Sequence, residues 1–273
     1  MLPSPPGNVY IFSDSIIRKD GGMEAPQLIA HRGYPRRYPE NTLEGITAAI
    51  KTGACFVEFD VQFTADGVPV LLHDPSLMRT TGTRGRIVNT DLEKLENLPA
   101  NEPSRFGKRY RSFTIPTLAA AVELLREYPR VVPFVELKEE SLEKVGREIA
   151  VKTALSVLAP IQARCVIISY DILALRCARA MGAKRIGWVM KNWNQDALTR
   201  ATELVPDFLI CNHTKLPKAP APLWHGPWKW VFYDVTQVKL ALQLAARGAT
   251  LIETMAIGEM LKNPQLRRGG CFD

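Results

Sequence analysis

The stretch "CFVEFDVQFTADGVPVLLH" (residues 55–73) decides how the strands of this chain can be arranged. It holds two apolar, β-rich runs, 55–61 and 68–73, joined by a short turn at Asp66-Gly67. A turn of this length joins antiparallel strands, whereas a parallel neighbour needs a crossover of a dozen or more residues. We therefore predict a hairpin, with run 68–73 outside any parallel sheet that the other strands form.

Short apolar runs of the same kind recur along the rest of the chain. These runs are residues 27–31, 131–137, 164–169, 185–190, 207–212, 229–235 and 250–254. Most are apolar almost throughout, as expected of strands that are buried on both faces.

Helical patterns lie between most of these runs, at residues 41–53, 117–128, 171–182 and 236–248. Asn41 is the expected N-cap of the first helix. Alternating strands and helices indicate an α/β fold with a parallel sheet. With the arm 68–73 set aside, eight strands remain, which predicts a (β/α)8 TIM barrel.

The segments outside this alternation are expected at the N-terminus and after the hairpin. Residues 1–25 lack the features of a signal peptide or a membrane span, so we expect a loosely attached extension and no transmembrane segment. Residues 26–273 are then the barrel domain. Residues of about 76–115 interrupt no strand–helix unit, and we expect them to form a small inserted cap over one end of the barrel.

The formal net charge of +7 admits nucleic acid, an anionic membrane or a phosphate-bearing substrate as partners, and also a merely well-solvated surface. Only residues 107–111 and 266–270 form small basic clusters. The five cysteines form no CxxC pair. Cys55, Cys165 and Cys211 lie in apolar runs, where a free cysteine behaves as a small hydrophobe, so a reducing, cytoplasmic location is expected.

Two carboxylates share one face of the first hairpin strand. Glu58 and Asp60 are two residues apart, and residues i and i+2 of a strand point the same way. Buried acids on one face repel each other and are penalised by desolvation. They are therefore protonated, paired with lysine or arginine, or bound to a hard cation such as Mg²⁺ or Ca²⁺.

Other charged residues stand where strands are expected to end. His31 and Arg32 follow the first strand, His73 ends the hairpin, and Glu136 and Lys138 end the run 131–137. Strand ends in a parallel barrel converge on one mouth, where catalytic groups gather. Such a mouth would offer oxygen ligands for a metal, cations for an anion, and two histidines for proton transfer, which suits hydrolysis of a phosphodiester.

Residues 30–82, "AHRGYPRRYPENTLEGITAAIKTGACFVEFDVQFTADGVPVLLHDPSLMRTTG", resemble the signature of the glycerophosphodiester phosphodiesterase family. The HRG, PENT, E-x-D, T-x-DG and HD-x-x-x-x-RTT elements occur in order, and "IPTL" (115–118) and "VELK" (135–138) follow. The resemblance continues weakly to about residue 262. Departures from the family pattern lie at 232–237 and 252–255, which are expected to line the mouth.

The resemblance implies a barrel that hydrolyses glycerophosphodiesters to an alcohol and sn-glycerol 3-phosphate. It implies one divalent metal ion, Mg²⁺ or Ca²⁺ with Mn²⁺ as a third option, held by Glu58, Asp60 and Glu136. His31 and His73 are then the acid–base pair. Arg32 and Lys138, the nearby cations, are the candidates for binding the substrate phosphate.

Two alternatives remain open at this level. A lysophospholipase D-like enzyme of the same fold would need an apolar groove, which Trp188, Trp224, Trp228 and Trp230 could build, although packing in the core is the favoured role of these side chains. A non-catalytic nucleic-acid-binding protein would account for the positive charge. Acids at the mouth oppose that reading, because without a metal they repel phosphate, and we expect no nucleic-acid partner.

Overall fold

A computed structural model describes residues 25–219 and 221–267 of the chain, and its centre is a closed barrel of eight parallel strands. The barrel strands are β1 (Gln27–Ala30), β2 (Phe56–Phe63), β4 (Val132–Leu137), β5 (Val166–Ser169), β6 (Ile186–Met190), β7 (Phe208–Asn212), β8 (Lys229–Tyr233) and β9 (Ala249–Thr254). Each pairs in parallel with its neighbour, and β1 closes the ring by pairing with both β2 and β9. The predicted barrel is confirmed.

The ninth strand, β3 (Pro69–Leu71), is the second arm of the predicted hairpin. It pairs antiparallel with β2 through Val61–Leu71, Gln62–Val70 and Phe63–Pro69, and it stands outside the parallel ring. The turn at 64–67 is therefore too short to carry a crossover, as expected.

Helices cover the outside of the barrel. They are α1 (Leu43–Lys51), α5 (Leu118–Arg126), α6 (Glu139–Val145), α7 (Arg147–Leu158), α8 (Ile172–Ala180), α9 (Gln195–Leu204), α10 (Val238–Ala246) and α11 (Ile257–Met260). Between β7 and β8 the described residues form only a short 3₁₀ helix, His213–Lys215. None of the helices in the described part of the chain has the length and hydropathy that a membrane span requires.

The interior of the barrel changes from apolar to polar along each strand. Phe56, Phe134, Phe208 and their apolar neighbours fill the lower levels. Glu58 and Asp60 follow Phe56 on the same face of β2, because side chains alternate with period two. The other face of β2 carries Val57, Phe59 and Val61, which pack against the outer helices. The polar groups thus collect at the carboxyl ends of the strands.

The segment between β3 and α5 forms small elements of its own. These are α2 (Met78–Thr81), a 3₁₀ helix (Ile87–Asn89), α3 (Leu92–Leu95) and α4 (Pro103–Phe106). A separate apolar cluster joins Leu77, Ile87 and Leu95 of this segment to Val70 and Leu72 of the hairpin. We refer to this segment, residues 76–115, as the cap; that it covers one end of the barrel stays a prediction. Residues 1–24 lie outside the described residues, so the expected N-terminal extension stays a prediction.

Two local expectations are wrong. Thr42, and not Asn41, is the N-cap of α1, because the Thr42 side chain accepts a hydrogen bond from Gly45 N–H while Asn41 points elsewhere. Cys55 is disulfide-bonded, whereas Cys165, Cys177 and Cys211 are free thiols. Burial raises the pKa of both Cys165 and Cys211 to about 12, so these two behave as the expected inert hydrophobes.

Candidate functional site

The carboxyl ends of the strands surround a cavity of about 250 Å³. It is lined by acidic and basic side chains, by two tyrosines and by a few apolar side chains. These residues are His31, Arg32, His73, Glu136, Lys138, Ile168, Tyr170, Val189, Ile210, Tyr233, Asp234 and Glu253. The two remaining predicted site residues, Glu58 and Asp60, are buried in the barrel wall that borders the cavity. The structure therefore brings all seven predicted site residues to one place.

Three carboxylates form the centre of this site. Asp60 and Glu136 are direct partners in the β2–β4 ladder, and Glu58 lies two residues before Asp60. One oxygen from each of the three lies within 4.8 Å of the others, and all three residues are buried. The strand register alone sets this proximity, because neighbouring strands are about 4.8 Å apart.

Two cations compensate part of this negative charge. Lys138 Nζ lies 2.8 Å from Glu136 Oε1 and 3.3 Å from Asp60 Oδ1. Arg32 Nε lies 3.2 Å from Asp60 Oδ2. Burial by itself would raise the pKa of Asp60, but Arg32 and Lys138 hold that pKa well below its usual value. Asp60 is therefore ionised, because its pairing with the two basic side chains stabilises the charged carboxylate.

Glu58 is not compensated in the same way. Its Oε2 accepts a hydrogen bond of 3.0 Å from the backbone N–H of Arg32, but the buried Oε1 has no hydrogen-bond partner. Burial, followed by the charges of Asp60 and Glu253, raises the pKa of Glu58 well above its ordinary value. An unpartnered buried carboxylate oxygen that faces other carboxylates fits a hard divalent cation, whose preferred ligands are such oxygens.

Asn41 is a site residue that the sequence reading assigned to the helix start. Its Nδ2 donates to Asp60 Oδ2 at 2.9 Å, and its Oδ1 accepts from Asp60 N–H at 3.1 Å. A backbone φ of 56° turns Asn41 away from α1, and asparagine tolerates this left-handed conformation. The Pro-Glu-Asn-Thr motif thus orients Asp60 as well as starting the helix.

A chain of polar contacts links the mouth to the cap. Glu40 Oε1 accepts from Arg79 at 2.6 Å and from Arg32 at 3.3 Å. Arg79 also donates to Asp74 Oδ2 at 2.5 Å, and Asp74 Oδ1 lies 2.7 Å from Nδ1 of His73. Burial by itself would raise the pKa of Asp74, but Arg79 and His73 lower this pKa to about 2. Glu40 therefore supports Arg32 and Arg79 without joining the carboxylate centre.

The two histidines have different surroundings. His31 is buried, and desolvation together with the charge of Arg32 lowers its pKa well below 6.5. Its Nε2 lies 3.9 Å from Glu58 Oε2, and its Nδ1 lies 3.6 Å from Asp234 Oδ1. The side chain of His73 is about one-third exposed and is oriented by Asp74. His31 is thus a neutral imidazole at neutral pH, whereas His73 reaches the cavity from the solvent side.

Glu253 and Asp234 are mouth carboxylates that the sequence reading noted only as departures from the family pattern. Glu253 is the penultimate residue of β9, is 4% exposed, and has a carboxylate oxygen within 4.8 Å of ligand atoms of Glu58 and His31. Burial and then the charge of Glu136 raise its pKa well above the ordinary value. The sequence could have indicated both residues, because they lie at the ends of predicted strands and every inward-facing strand end contributes to the mouth.

The tryptophans pack in the core. Trp188, Trp228 and Trp230 are buried in the main apolar cluster, and Trp224 stacks on Trp193 with a centroid distance of 4.0 Å. None of these side chains lines the mouth cavity. The favoured packing role is confirmed. Trp188 also lines an adjoining cavity of about 430 Å³, which shares Tyr170 and Val189 with the mouth cavity and is lined mainly by charged and polar side chains.

The chain is similar to known proteins in both sequence and fold. The glycerophosphodiester phosphodiesterase 1 of Mus musculus is 46% identical over 99 residues, which are 36% of this chain and 30% of the relative. A glycerophosphodiester phosphodiesterase of Bacillus altitudinis is 34% identical over 126 residues, covering 46% of this chain and 51% of the relative. The chain matches less than a third of the length of its mammalian relatives.

Two solved structures illustrate the likeness of fold. An Oleispira antarctica phosphodiesterase in complex with the product sn-glycerol-3-phosphate has a TM-score of 0.76 and 29% identity, over 87% of this chain and 96% of that chain. A glycerophosphodiester phosphodiesterase from Parabacteroides distasonis has a TM-score of 0.71 at 20% identity, over 88% and 97%. The second likeness speaks for the fold alone.

A family profile matches one long stretch of the sequence. It covers residues 31–239, which is more than half of the chain and includes every predicted site residue from His31 to Lys138. The chain belongs to the glycerophosphoryl diester phosphodiesterase family.

Proposed function

We propose that this protein hydrolyses small glycerophosphodiesters to an alcohol and sn-glycerol 3-phosphate with the help of one divalent metal ion. The observation that carries the proposal is the composition of the mouth. Among the described residues, the four buried carboxylates Glu58, Asp60, Glu136 and Glu253 have two arginine or lysine side chains that lower their pKa values, Arg32 and Lys138, which leaves two formal negative charges. A divalent ion balances that charge.

Glu58, Asp60 and Glu136 are the proposed ligands of the ion. An oxygen-only ligand set suits Mg²⁺, Ca²⁺ or Mn²⁺. When bound, the ion supplies positive charge that stabilises the non-bridging oxygens of a phosphodiester during displacement at phosphorus. Lys138 and Arg32 already hold Asp60 ionised, so that carboxylate needs no proton to be lost before metal binding.

The remaining groups bind the phosphate and move protons. Arg32 and Lys138 border the cavity and remain charged, so they attract the anionic substrate. His31 is neutral and buried, which suits a general base. It would accept a proton from the nucleophile that attacks phosphorus, which is either water or the neighbouring glycerol hydroxyl; in the second case water then opens the cyclic phosphate to give sn-glycerol 3-phosphate. His73, oriented by Asp74, then donates a proton to the oxygen of the leaving alcohol as its bond to phosphorus breaks.

Small diesters are the proposed substrates because the mouth is polar and narrow. The cavity of about 250 Å³ is lined mostly by charged and tyrosine side chains. A lysophospholipase D-like activity needs an apolar groove for an acyl chain, and the tryptophans offered for that groove are packed elsewhere. No nucleic acid is proposed at the mouth, since its carboxylates repel a polyanion. A cytoplasmic location stays an expectation, and the disulfide at Cys55 weighs against it.

The direct test is an assay of metal-free protein on glycerophosphocholine, glycerophosphoethanolamine and a lysophospholipid, with Mg²⁺, Ca²⁺ or Mn²⁺ added back separately. We expect no hydrolysis without metal, restored hydrolysis of the two diesters, and release of sn-glycerol 3-phosphate. Glu58→Gln should abolish the restoration, while the matched variant Glu123→Gln, at an exposed position, should not. Full activity in protein that elemental analysis shows to be metal-free would refute the proposal.

A further inference from the structure

A second concave site lies on the outer side of the chain segment that follows β1. This groove of about 500 Å³ is formed by residues after β1, by the end of α1 and by α4 of the cap with the residues that follow it. Its basic residues are Arg36, Arg37, Lys51 and Arg109. It shares no residue with the mouth cavity. We refer to it as the basic groove.

Aromatic rings form the wall of the basic groove. The ring centroids of Tyr38 and Tyr110 are 5.7 Å apart, and those of Phe106 and Tyr110 are 5.3 Å apart. The Tyr110 hydroxyl donates to the Arg37 carbonyl at 2.7 Å, and the Arg109 guanidinium lies 4.8 Å from the Tyr110 ring centroid. These contacts fix the wall and tie the cap to the loop after β1.

The charge of the basic groove is almost uncompensated. Glu259 is bound to Arg37 at 3.0 Å and to the Tyr34 hydroxyl at 2.8 Å. Arg36, Lys51 and Arg109 are exposed and form no ion pair with a carboxylate among the described residues. The adjoining residues 103–113 carry four basic residues and no acid. A surface of this kind attracts a polyanion, and the attraction is sensitive to salt.

We propose that the basic groove docks the protein on an anionic phospholipid surface, with its arginines and lysine against lipid phosphates. Tyrosine and phenylalanine beside basic residues are typical of side chains that sit at a membrane–water interface. The Arg109 guanidinium lies over the Tyr110 ring and the ring contacts are edge-on or tilted, so the wall does not present a row of parallel ring faces on which nucleic-acid bases would stack. This inference is independent of the proposed function.

The position of the basic groove supports a lipid partner. Arg36 N–H donates to the Met255 carbonyl just after β9, and the Arg105 guanidinium donates to the Pro35 carbonyl. The groove is therefore attached to the loops at the mouth end of the barrel. Docking there would hold the mouth beside the membrane surface.

The test compares two double charge reversals in the full chain by vesicle co-sedimentation. Arg36→Glu/Arg109→Glu alters the groove, and Lys152→Glu/Lys239→Glu makes the same change of net charge at exposed positions on α7 and α10. Vesicles of phosphatidylcholine are compared with vesicles in which about a quarter of the lipid is phosphatidylserine. Circular dichroism and hydrolysis of a small soluble diester check that each variant is folded.

We expect the wild type to bind only the phosphatidylserine vesicles and to be released by salt. The groove variant should lose about 25-fold or more in partition coefficient, since each basic residue near an anionic surface is worth roughly fivefold. The control pair should lose a small fraction of that. Three outcomes would each overturn the proposal. The two double variants could lose vesicle binding equally, or the wild type could fail to bind vesicles. The wild type could also bind a single-stranded oligonucleotide more tightly than vesicles, with that binding abolished in the groove variant.

Discussion

The backbone N–H of Arg32 donates a hydrogen bond of 3.0 Å to Oε2 of Glu58. Arg32 has a φ of 55° and Gly33 a φ of 85°, so the chain turns sharply as it leaves β1. This turn places the buried His31 side chain beside the carboxylate centre and the Arg32 guanidinium against Asp60. One backbone conformation therefore positions the proposed base, the proposed phosphate-binding cation and one of the proposed metal ligands together.

Gly33→Ala should disrupt this arrangement. A Cβ at Gly33 would lie 2.8 Å from backbone atoms of Gly45 and Ile46, and its positive φ is unfavourable for alanine. We expect a loss of unfolding free energy of at least roughly 1–3 kcal/mol from backbone strain, with more from the contact. The measurement is denaturant unfolding of the metal-free protein. Gly53→Ala, also at positive φ but with open space around it, is the matched control, and equal losses in both would mean that the close contact is immaterial.

Stability of the metal-free protein should rise as the pH falls from neutral towards about 4.5. Burial and neighbouring carboxylates raise the folded-state pKa of Glu58 and Glu253 above the unfolded value of 4.5. The folded state therefore takes up protons at these carboxylates before the unfolded state does, and protonation relieves their repulsion. The lowered pKa of His31 acts in the opposite direction below pH 6.5, but this one imidazole is outnumbered by Glu58, Glu136 and Glu253, whose pKa values are all raised. Saturating Mg²⁺ or Ca²⁺ should remove this slope.

The slope should reverse at lower pH. The pKa of Asp74 is lowered from 3.8 to about 2, so its stabilising contribution is lost as the pH falls through that range. Denaturant unfolding between neutral and acid pH, with and without metal, measures both parts. A metal-free protein whose stability falls steadily from neutral pH to pH 4.5 would contradict the assignment of raised pKa values.

Glu253→Gln should weaken divalent-metal binding by roughly 10–100-fold, the usual effect of changing a group that supports a metal site. It should also stabilise the metal-free protein, because a buried carboxylate that faces Glu58 is replaced by a neutral amide. Titration calorimetry and thermal unfolding measure the two effects. Glu123→Gln is the control on the surface. Unchanged affinity together with unchanged stability would show that Glu253 does not belong to the site.

Alanine at His73 should impair natural diesters far more than a p-nitrophenyl diester. p-Nitrophenolate leaves without protonation, whereas an alkoxide needs a general acid, which contributes ~10²–10⁴-fold. Alanine at His31, the proposed base, should impair both substrates. The measurement is kcat/KM for both variants on both substrates, with metal content determined in each. Equal fractional losses in all four combinations would contradict the division of roles.

Leu95→Ala should loosen the cap while the barrel stays folded. Leu95 is fully buried in the cap cluster, and such truncations cost about 2–5 kcal/mol. We expect faster hydrogen exchange in residues 76–115 and altered preference among headgroups. Leu175→Ala, in the barrel's own core, should instead lower global stability. If Leu95→Ala lowers global stability equally and opens no local region, the cap unfolds together with the barrel.

The sequence by itself determined the barrel and most of the site. The turn at 64–67 is too short for a crossover, so β3 could only be a hairpin arm. The remaining strands are apolar and alternate with helical patterns, which leaves a parallel barrel. The i, i+2 spacing placed Glu58 and Asp60 on the same face of β2, because side chains alternate along any strand.

Only the tertiary structure decided which neighbours each side chain meets. Asn41 looked like a helix cap, but its left-handed backbone directs it to Asp60, and capping falls to Thr42. Glu253 joins Glu58 because β9 closes the ring beside β1, a pairing between residues more than two hundred positions apart. The local sequence pattern indicates how side chains alternate along a strand and where the strand ends. The contacts across a closed barrel depend on strand order and register, which are set when the whole ring packs.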